Sequence, residues 1–313
     1  MAYRRRRRRR KNNTSFLEFI LIIVLFLICY YNKYGFNISA AFETESESAE
    51  LNTYVTPVDG TIEIYYLDVG EADSILIREG NTNAIIDGGN NNDGQKIVRY
   101  LKSLGIENIK YVFGTHAHED HIGGIDDIIN NFNVEKFYMP DATTTTATFE
   151  DVLDALLNKN MSLTIPKIGE KISLENGLLE IIYTGTDEID LNNTSIVIRL
   201  DYGATSFLFT GDATSTIEKQ ILNSNINVDV LKVGHHGSKY STTLGFLNNV
   251  SPSYAIISTS KDNAYGHPHE ATLDKLNNRN IKIYRTDEMG TIVATSDGQN
   301  ISFRTINTDT NGG

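Results

Sequence analysis

The 313-residue sequence predicts an α/β domain of two β-sheets with helices outside them, running from residue 61 to 305. Three observations predict it. From residue 61 onward, short runs rich in β-branched residues alternate with segments whose apolar residues recur at helical spacing. These runs come in two rounds of strands followed by a helix and a further strand, which suits two sheets with helices on the outside. Two histidine clusters stand directly after buried strands, where open α/β sheets place their ligand sites.

Taken from the amino end, residues 1–15 form a basic end with seven consecutive arginines, Arg4 to Arg10, followed by Lys11. The stretch FLEFILIIVLFLICYY follows, and residues 16–34 read as one N-terminal membrane segment whose basic flank stays in the cytoplasm. Its uninterrupted apolar core, Phe19 to Cys29, is short for a spanning helix, and Phe16, Tyr30 and Tyr31 can extend it. Two readings stay open: an uncleaved anchor, or a signal cleaved after about Ala41, where Ser39 and Ala41 give a small-x-small arrangement. Either way the domain is expected outside the cytoplasm, single-pass at the cell membrane or secreted. Cys29 is the only cysteine, and the bulky Ile28 before it is a poor lipoprotein cleavage site. The exported part therefore has no disulfide and no thiol ligand, so any metal must be held by nitrogen and oxygen. Residues 35–60, acidic and serine-bearing, read as a solvated linker.

Within the domain, TIEIYYLDV, DSILIRE and NAIIDGG read as three sequential strands. DGQKIVRYLKSLG reads as a helix with Asp93 as its cap, Ile97, Leu101 and Leu104 on one face, and Gly105 as its stop. IKYVFGT returns as a buried strand that delivers the chain to His116. A loop TTTTAT, a helix over 148–159, strands near 178–183, 196–200 and 206–210, and a helix around 214–223 follow. VDVLKVG is a further buried strand ending at His235. The last elements are a strand 254–258, a helix 270–278 and strands near 281–285, 291–295 and 300–304, before a tail, 306–313.

All seven histidines fall in three clusters: THAHEDH (His116, His118, His121), VGHHGS (His235, His236) and YGHPHE (His267, His269). None remains for ordinary surface or core duty, and neutral imidazole is the commonest metal ligand. A strand ending in T-H-x-H-x-D-H sets His116 and His118 to bind one ion and Asp120 and His121 to face a second. Two ions about 3.5–4 Å apart need a shared anionic ligand. Asp212, in FLFTGDA, is the candidate, although the residues after it also read as a helix start that it would cap. Asp87 in IIDGG reads either as a partner that orients a ligand histidine or as a turn residue. His267 can protonate a leaving oxygen or clamp phosphate, or be a turn histidine. His269 reads equally as part of a helix start, Lys232 as core-lining, and Lys239 as a phosphate contact or a solvated lysine.

Charge bounds the substrate. Residues 1–35 hold nine basic residues and one acid, which leaves 19 basic against 39 acidic residues, a net charge of −20, for the rest. Such a body does not hold nucleic acid or anionic lipid by general electrostatics. A grip on a polyanion has to come from bound metal or a local basic patch.

H-x-H-x-D-H followed by Gly-Gly resembles the signature of the metallo-β-lactamase superfamily. The blocks YYLDVGEADSILI, IIDGG, NNTSIVIRL, FLFTGD, LKVGHHGS and AYGHPH resemble, in order over nearly all of 61–304, the extracytoplasmic hydrolase domain of the ComEC competence family. The resemblance implies a four-layer αββα sandwich with two divalent ions, Zn²⁺ or Mn²⁺, at one edge of the sheets. It implies one ion on His116 and His118 and another on Asp120 and His121, with Asp212 bridging and His236 completing the second set. His235 would then meet substrate phosphate. The sequence departs from the family twice. No histidine lies between 121 and 235 to complete the first ion, so Asn193 or a water has to stand there. Glu71 and Ala72 stand where the family usually has Gln and Gly. The implied activity is metal-assisted hydrolysis of a phosphodiester, in DNA or an envelope polymer, with Asp120, His235 and His267 in catalytic roles; no protein partner is deducible. The alternatives are an envelope phosphoester hydrolase, such as a teichoic acid phosphorylcholine esterase, and an inactive binding protein on the same fold.

Overall fold

A computed structural model describes residues 60–142, 144–186 and 189–307. The basic end, the membrane segment and the linker to residue 59 lie outside the described residues, as do Thr143 and the last six residues of the tail. Among the described residues no helix is long and apolar enough to cross a membrane.

The described residues form two sheets. In the first, β1 (Ile62–Tyr66), β2 (Ile75–Glu79), β3 (Thr82–Ile86), β4 (Asn108–Phe113), β5 (Asn133–Tyr138), β6 (Leu163–Thr164), β14 (Thr291–Ser296) and β15 (Ile301–Ile306) take the order β15-β14-β1-β2-β3-β4-β5-β6. The second contains β7 (Lys171–Ser173), β8 (Leu178–Tyr183), β9 (Val197–Tyr202), β10 (Thr205–Phe209), β11 (Val230–Lys232), β12 (Tyr254–Ile257) and β13 (Lys282–Arg285), ordered β13-β12-β11-β10-β9-β8-β7. β3, β4, β5 and β6 run parallel, as do β10, β11, β12 and β13. Such pairings need crossovers, and helices make most of them.

The helices are α1 (Gly94–Ser103), α2 (Glu119–Ile122), α3 (Ile125–Asn131), α4 (Ala147–Asn158), α5 (Ser215–Gln220), α6 (Leu244–Val250), α7 (Glu270–Asn277) and α8 (Thr286–Met289). Alternate side chains of each strand point to opposite faces, and this sorts the core into three apolar layers. Ile62, Ile64, Ile75, Ile77, Phe113, Ile198, Leu200, Phe207 and Phe209 lie between the sheets. Leu76, Ile85 and Val112, on the opposite face of the first sheet, meet Ile97 and Leu101 of α1, Ile128 of α3 and Val152 of α4. Leu208, Leu231 and Ala255 meet Ile217 of α5, Phe246 and Leu247 of α6, and Leu276 of α7. Helix, sheet, sheet, helix is therefore the layer order.

Local chemistry differs from the sequence expectation in several places. Asp93 stands at the N-cap position of α1, yet its carboxylate accepts from Asn90 instead of capping the helix. TTTTAT is only partly a loop: Thr146 caps α4 by accepting from the Phe149 amide, and Ala147 and Thr148 are already helical. β15 carries Ile306, so the tail starts one residue later than expected.

Candidate metal centre

β4 ends at Phe113, and Gly114 and Thr115 bring the chain to His116 at the carboxyl edge of the first sheet. α2 then starts at Glu119, so Asp120 and His121 sit on its first turn. The Gly-Gly after it is a packing requirement. A Cβ on Gly123 would overlap the backbone of Asn90 and Asn91, and one on Gly124 would meet Gly88 and Gly94. Only glycine lets α2 and the start of α3 press against the loop that follows β3. From the second sheet, β10 delivers Asp212 through Thr210 and Gly211, and β11 delivers His235 and His236 through Val233 and Gly234. An inter-sheet hydrogen bond, Ile196 N–H to Thr115 O at 2.9 Å, joins the two edges.

Asp120, His121, Asp212 and His236 converge, each offering one ligand atom within 4.8 Å of all the others. His121 Nε2 is 3.2 Å from Asp212 Oδ1, and His236 Nε2 is 3.3 Å from Asp120 Oδ2 and 3.8 Å from Asp212 Oδ1. The other carboxylate oxygen, Asp212 Oδ2, lies 4.0 Å from His116 Nε2, which is 3.0 Å from His118 Nδ1. The two oxygens of Asp212 thus face two separate nitrogen sets, as a bridging ligand requires. Asp212 is not a helix cap; Thr214 caps α5.

The donor set fits divalent cations. His121 Nε2, Asp212 Oδ1 and His236 Nε2 are buried without hydrogen-bond partners, which natural structures rarely leave unexplained. Burial alone would depress His121, but the carboxylates of Asp212, Asp87 and Asp120 hold it well above the ordinary imidazole range. Burial likewise opposes protonation of His236, and Asp212 and Asp120 hold it up to about 9. Against its own burial, Asp212 is held well below the carboxylate range by His121, His236 and His116. Three carboxylates around these rings thus draw positive charge into the pocket. Burial and the neighbouring His121 push His116 well below the ordinary range, leaving a neutral ring suited to a metal. Clustered nitrogen and oxygen donors of this kind suit divalent metal ions.

The Metallo-beta-lactamase superfamily model matches residues 67–261. The chain belongs to the metallo-beta-lactamase superfamily. It is 34% identical over 203 residues to ComE operon protein 3 of Bacillus subtilis, covering 64% of this chain and 26% of that protein. Competence protein ComA of Neisseria gonorrhoeae is 40% identical over 107 residues, 33% of this chain and 16% of that protein. Both are ComEC-family competence proteins, and the chain spans about a quarter or less of their length. Among solved structures, Igni18, a metallo hydrolase from Ignicoccus hospitalis, matches with a TM-score of 0.50 and 17% identity over 74% of this chain and 98% of that one. At that identity the likeness speaks to the fold.

The remaining candidates are placed less uniformly around the superfamily centre. Asp87 does two things at once: it turns the chain at φ 63°, and its Oδ2 lies 2.8 Å from His121 Nδ1. Thr115 holds the same carboxylate through its amide (2.7 Å) and hydroxyl (2.8 Å). His235 and His236 do not sit on an extended segment with alternating side chains. They form a tight turn, both at positive φ (51° and 52°), with ring centroids 6.1 Å apart. His236 is buried, its Nδ1 3.1 Å from Ser258 O, while His235 is a quarter exposed with Nε2 3.5 Å from Asp212 Oδ2. A Cβ on Gly237 would strike Pro268, so glycine there lets the loop carrying His267 dock on this turn. His267 lies beside both, its ring 5.5 Å from that of His235.

Three candidates are engaged elsewhere. The Asn193 side-chain oxygen accepts from the Thr214 hydroxyl at 2.6 Å. Ser195, which sequence reasoning passed over, reaches the centre: its Oγ accepts from the Asp212 amide (3.1 Å) and is 3.5 Å from His116 Nδ1. His269 stands at the N-cap position of α7 and accepts from the Lys239 amide, which is the helix-start reading. Lys239 is exposed, with its ammonium 5.3 Å from the ring centroid of Tyr240. Lys232 is fully buried and pairs with Asp73 at 2.8 Å beneath the centre. Glu71, read from sequence only as a local change, accepts from His267, and its spacing of nearly two hundred residues hid the pairing.

Proposed function

We propose that the chain is a divalent-metal-dependent phosphodiesterase or nuclease, held at the cell membrane by its N-terminal segment with the catalytic domain outside the cytoplasm. The observation that carries this reading is Asp212, whose two oxygens face separate nitrogen sets next to two further histidines. Zn²⁺ or Mn²⁺ bound there would polarise a phosphoryl oxygen and activate the attacking water. His116 and His118 would hold one ion, Asp120, His121 and His236 the other. His235, partly open to solvent, would donate to a non-bridging phosphoryl oxygen, and His267 to the leaving oxygen. Likeness to competence proteins favours a nucleic acid as the phosphodiester.

The acidity of the chain after residue 35 favours a second reading, an envelope phosphoester hydrolase such as a teichoic acid phosphorylcholine esterase, because a zwitterionic substrate tolerates an acidic surface better than DNA does. An inactive binding protein on the same fold would have no need of so complete a donor set. The test is turnover by the purified full chain, with Zn²⁺ or Mn²⁺, of DNA, bis-p-nitrophenyl phosphate and p-nitrophenyl phosphorylcholine. Cleavage of the first two is expected. Turnover of p-nitrophenyl phosphorylcholine alone selects the esterase, and bound metal with no turnover selects the binding protein.

A further inference from the structure

His267 is held from all sides but one. Asn263 fixes its backbone, accepting from the His267 amide through Oδ1 (2.9 Å) and donating to its carbonyl through Nδ2 (2.6 Å). Tyr265 stacks on its ring, with centroids 5.6 Å apart. On the ring itself, Nδ1 lies 2.7 Å from Glu71 Oε1, and Nε2 makes no hydrogen bond among the described residues. Glu71 comes from the loop after β1, in the other sheet, and its second oxygen is also committed. Oε2 accepts from the Thr259 hydroxyl (2.7 Å) and the Ser260 amide (3.2 Å).

These bonds decide where the hydrogens sit. A carboxylate only accepts, so Nδ1 of His267 carries a hydrogen, and Nε2 is the nitrogen left to meet a ligand. We propose that Glu71 is the positioning residue for proton donation: its carboxylate takes the Nδ1 hydrogen of His267 and aims Nε2, bearing the proton to be given up, at the leaving oxygen of the phosphodiester. This deepens the phosphodiesterase reading and rests on it. In the step, water adds its oxygen to phosphorus and gives one proton to the medium, and the bond from phosphorus to the leaving oxygen breaks. The Nε2 proton goes to that oxygen, which departs as an alcohol, and the ring regains a proton from the medium. The acceptor at Nδ1 keeps the ring turned so that Nε2, and not Nδ1, meets the leaving oxygen.

Glu71→Gln separates this role from simple packing. The Ser260 amide and the Thr259 hydroxyl hold the new side-chain oxygen on their side, so the amide NH₂ faces His267. Nδ1 must then present its lone pair, and the hydrogen moves to Nε2 of a neutral ring. The experiment compares the full chain and its Glu71→Gln variant, both loaded with Zn²⁺, on DNA and on bis-p-nitrophenyl phosphate. DNA departs as an alkoxide that needs a proton; p-nitrophenolate departs without one. The expected result is a loss of about 10²-fold in kcat on DNA, the scale of general acid catalysis, with KM nearly unchanged and bis-p-nitrophenyl phosphate little affected. ¹⁵N-histidine spectra should show His267 with hydrogen on Nδ1 in the wild type and on Nε2 alone in the variant. Equal losses on both substrates, no loss on DNA, or an unchanged ¹⁵N pattern would overturn the proposal. Turnover of neither substrate by the wild-type chain would sink the phosphodiesterase reading instead, and the ¹⁵N pattern would then decide whether Glu71 sets the hydrogens of His267.

Discussion

His235 and His236 are neighbours in the chain and occupy different chemical positions. His236 turns inward to Asp120 and Asp212 and anchors its other nitrogen on the Ser258 carbonyl. His235 stays at the mouth, beside Asp212 Oδ2 and His267. Burial, opposed by Asp212 and helped by His236 and His267, keeps His235 below the ordinary imidazole range. His236→Ala should therefore lose metal and activity together. His235→Ala should keep its metal and turn over about 10²–10³-fold more slowly, the cost of one transition-state donor. Metal analysis beside rates checks both, and metal loss confined to His235→Ala would reverse the assignment. Asp212→Ala should lower metal occupancy from about two ions and abolish hydrolysis; a fully loaded, active variant would remove Asp212 from the centre. The sequence named these residues because imidazole clusters are conspicuous. It missed Ser195 and the hold of Glu71 on His267, since serine and glutamate are common and their partners lie 79 and 196 positions away.

At the scale of elements, the centre is built where strand ends of both sheets meet, and one buried pair ties them together below it. Lys232 ends β11, Asp73 precedes β2, and neither is exposed to water. Asp73 Oδ1 also lies 3.7 Å from His236 Nδ1, so the pair steadies the floor of the site. Lys232→Met should cost about 3–5 kcal/mol, because it strands a buried carboxylate, whereas Lys232→Met with Asp73→Asn should recover much of that loss. Denaturant unfolding of the single and double variants measures it; a double variant no more stable than the single would show that charge compensation is not the cause. The longer strands and helices were legible from period and caps. β5 was not, since NVEKFY is apolar on only part of its length and four of its six residues reach solvent. α3 and α6, each of seven residues, are too short for a helical period to repeat.

Over the whole chain, charge is divided: a basic amino end precedes an acidic body. Positive residues before an apolar segment stay on the cytoplasmic side. Protease added to intact cells should accordingly digest the domain while the arginine-rich end remains protected. A domain protected in that assay, and recovered soluble from the cytoplasm, would contradict the exported placement and both envelope readings. Under the proposed phosphodiesterase function, an acidic body leaves bound metal to supply the positive charge that holds the substrate, so removing metal with a chelator should abolish substrate binding as well as turnover.

The sequence by itself determined the kind of fold, the superfamily and the donor types gathered at the candidate centre. T-H-x-H-x-D-H, the glycine pair and the strand-ending Asp212 are local patterns, and apolar period tells strand from helix without knowledge of what lies across the core. Tertiary structure alone decided which atoms meet. It turned Asn193 toward Thr214, made His269 a helix start, set His235 and His236 on one left-handed turn, and brought Glu71 to His267. Those outcomes depend on hydrogen bonds between residues far apart in the chain, whose directions are fixed only when the two sheets close on each other. Local pattern carries no record of them.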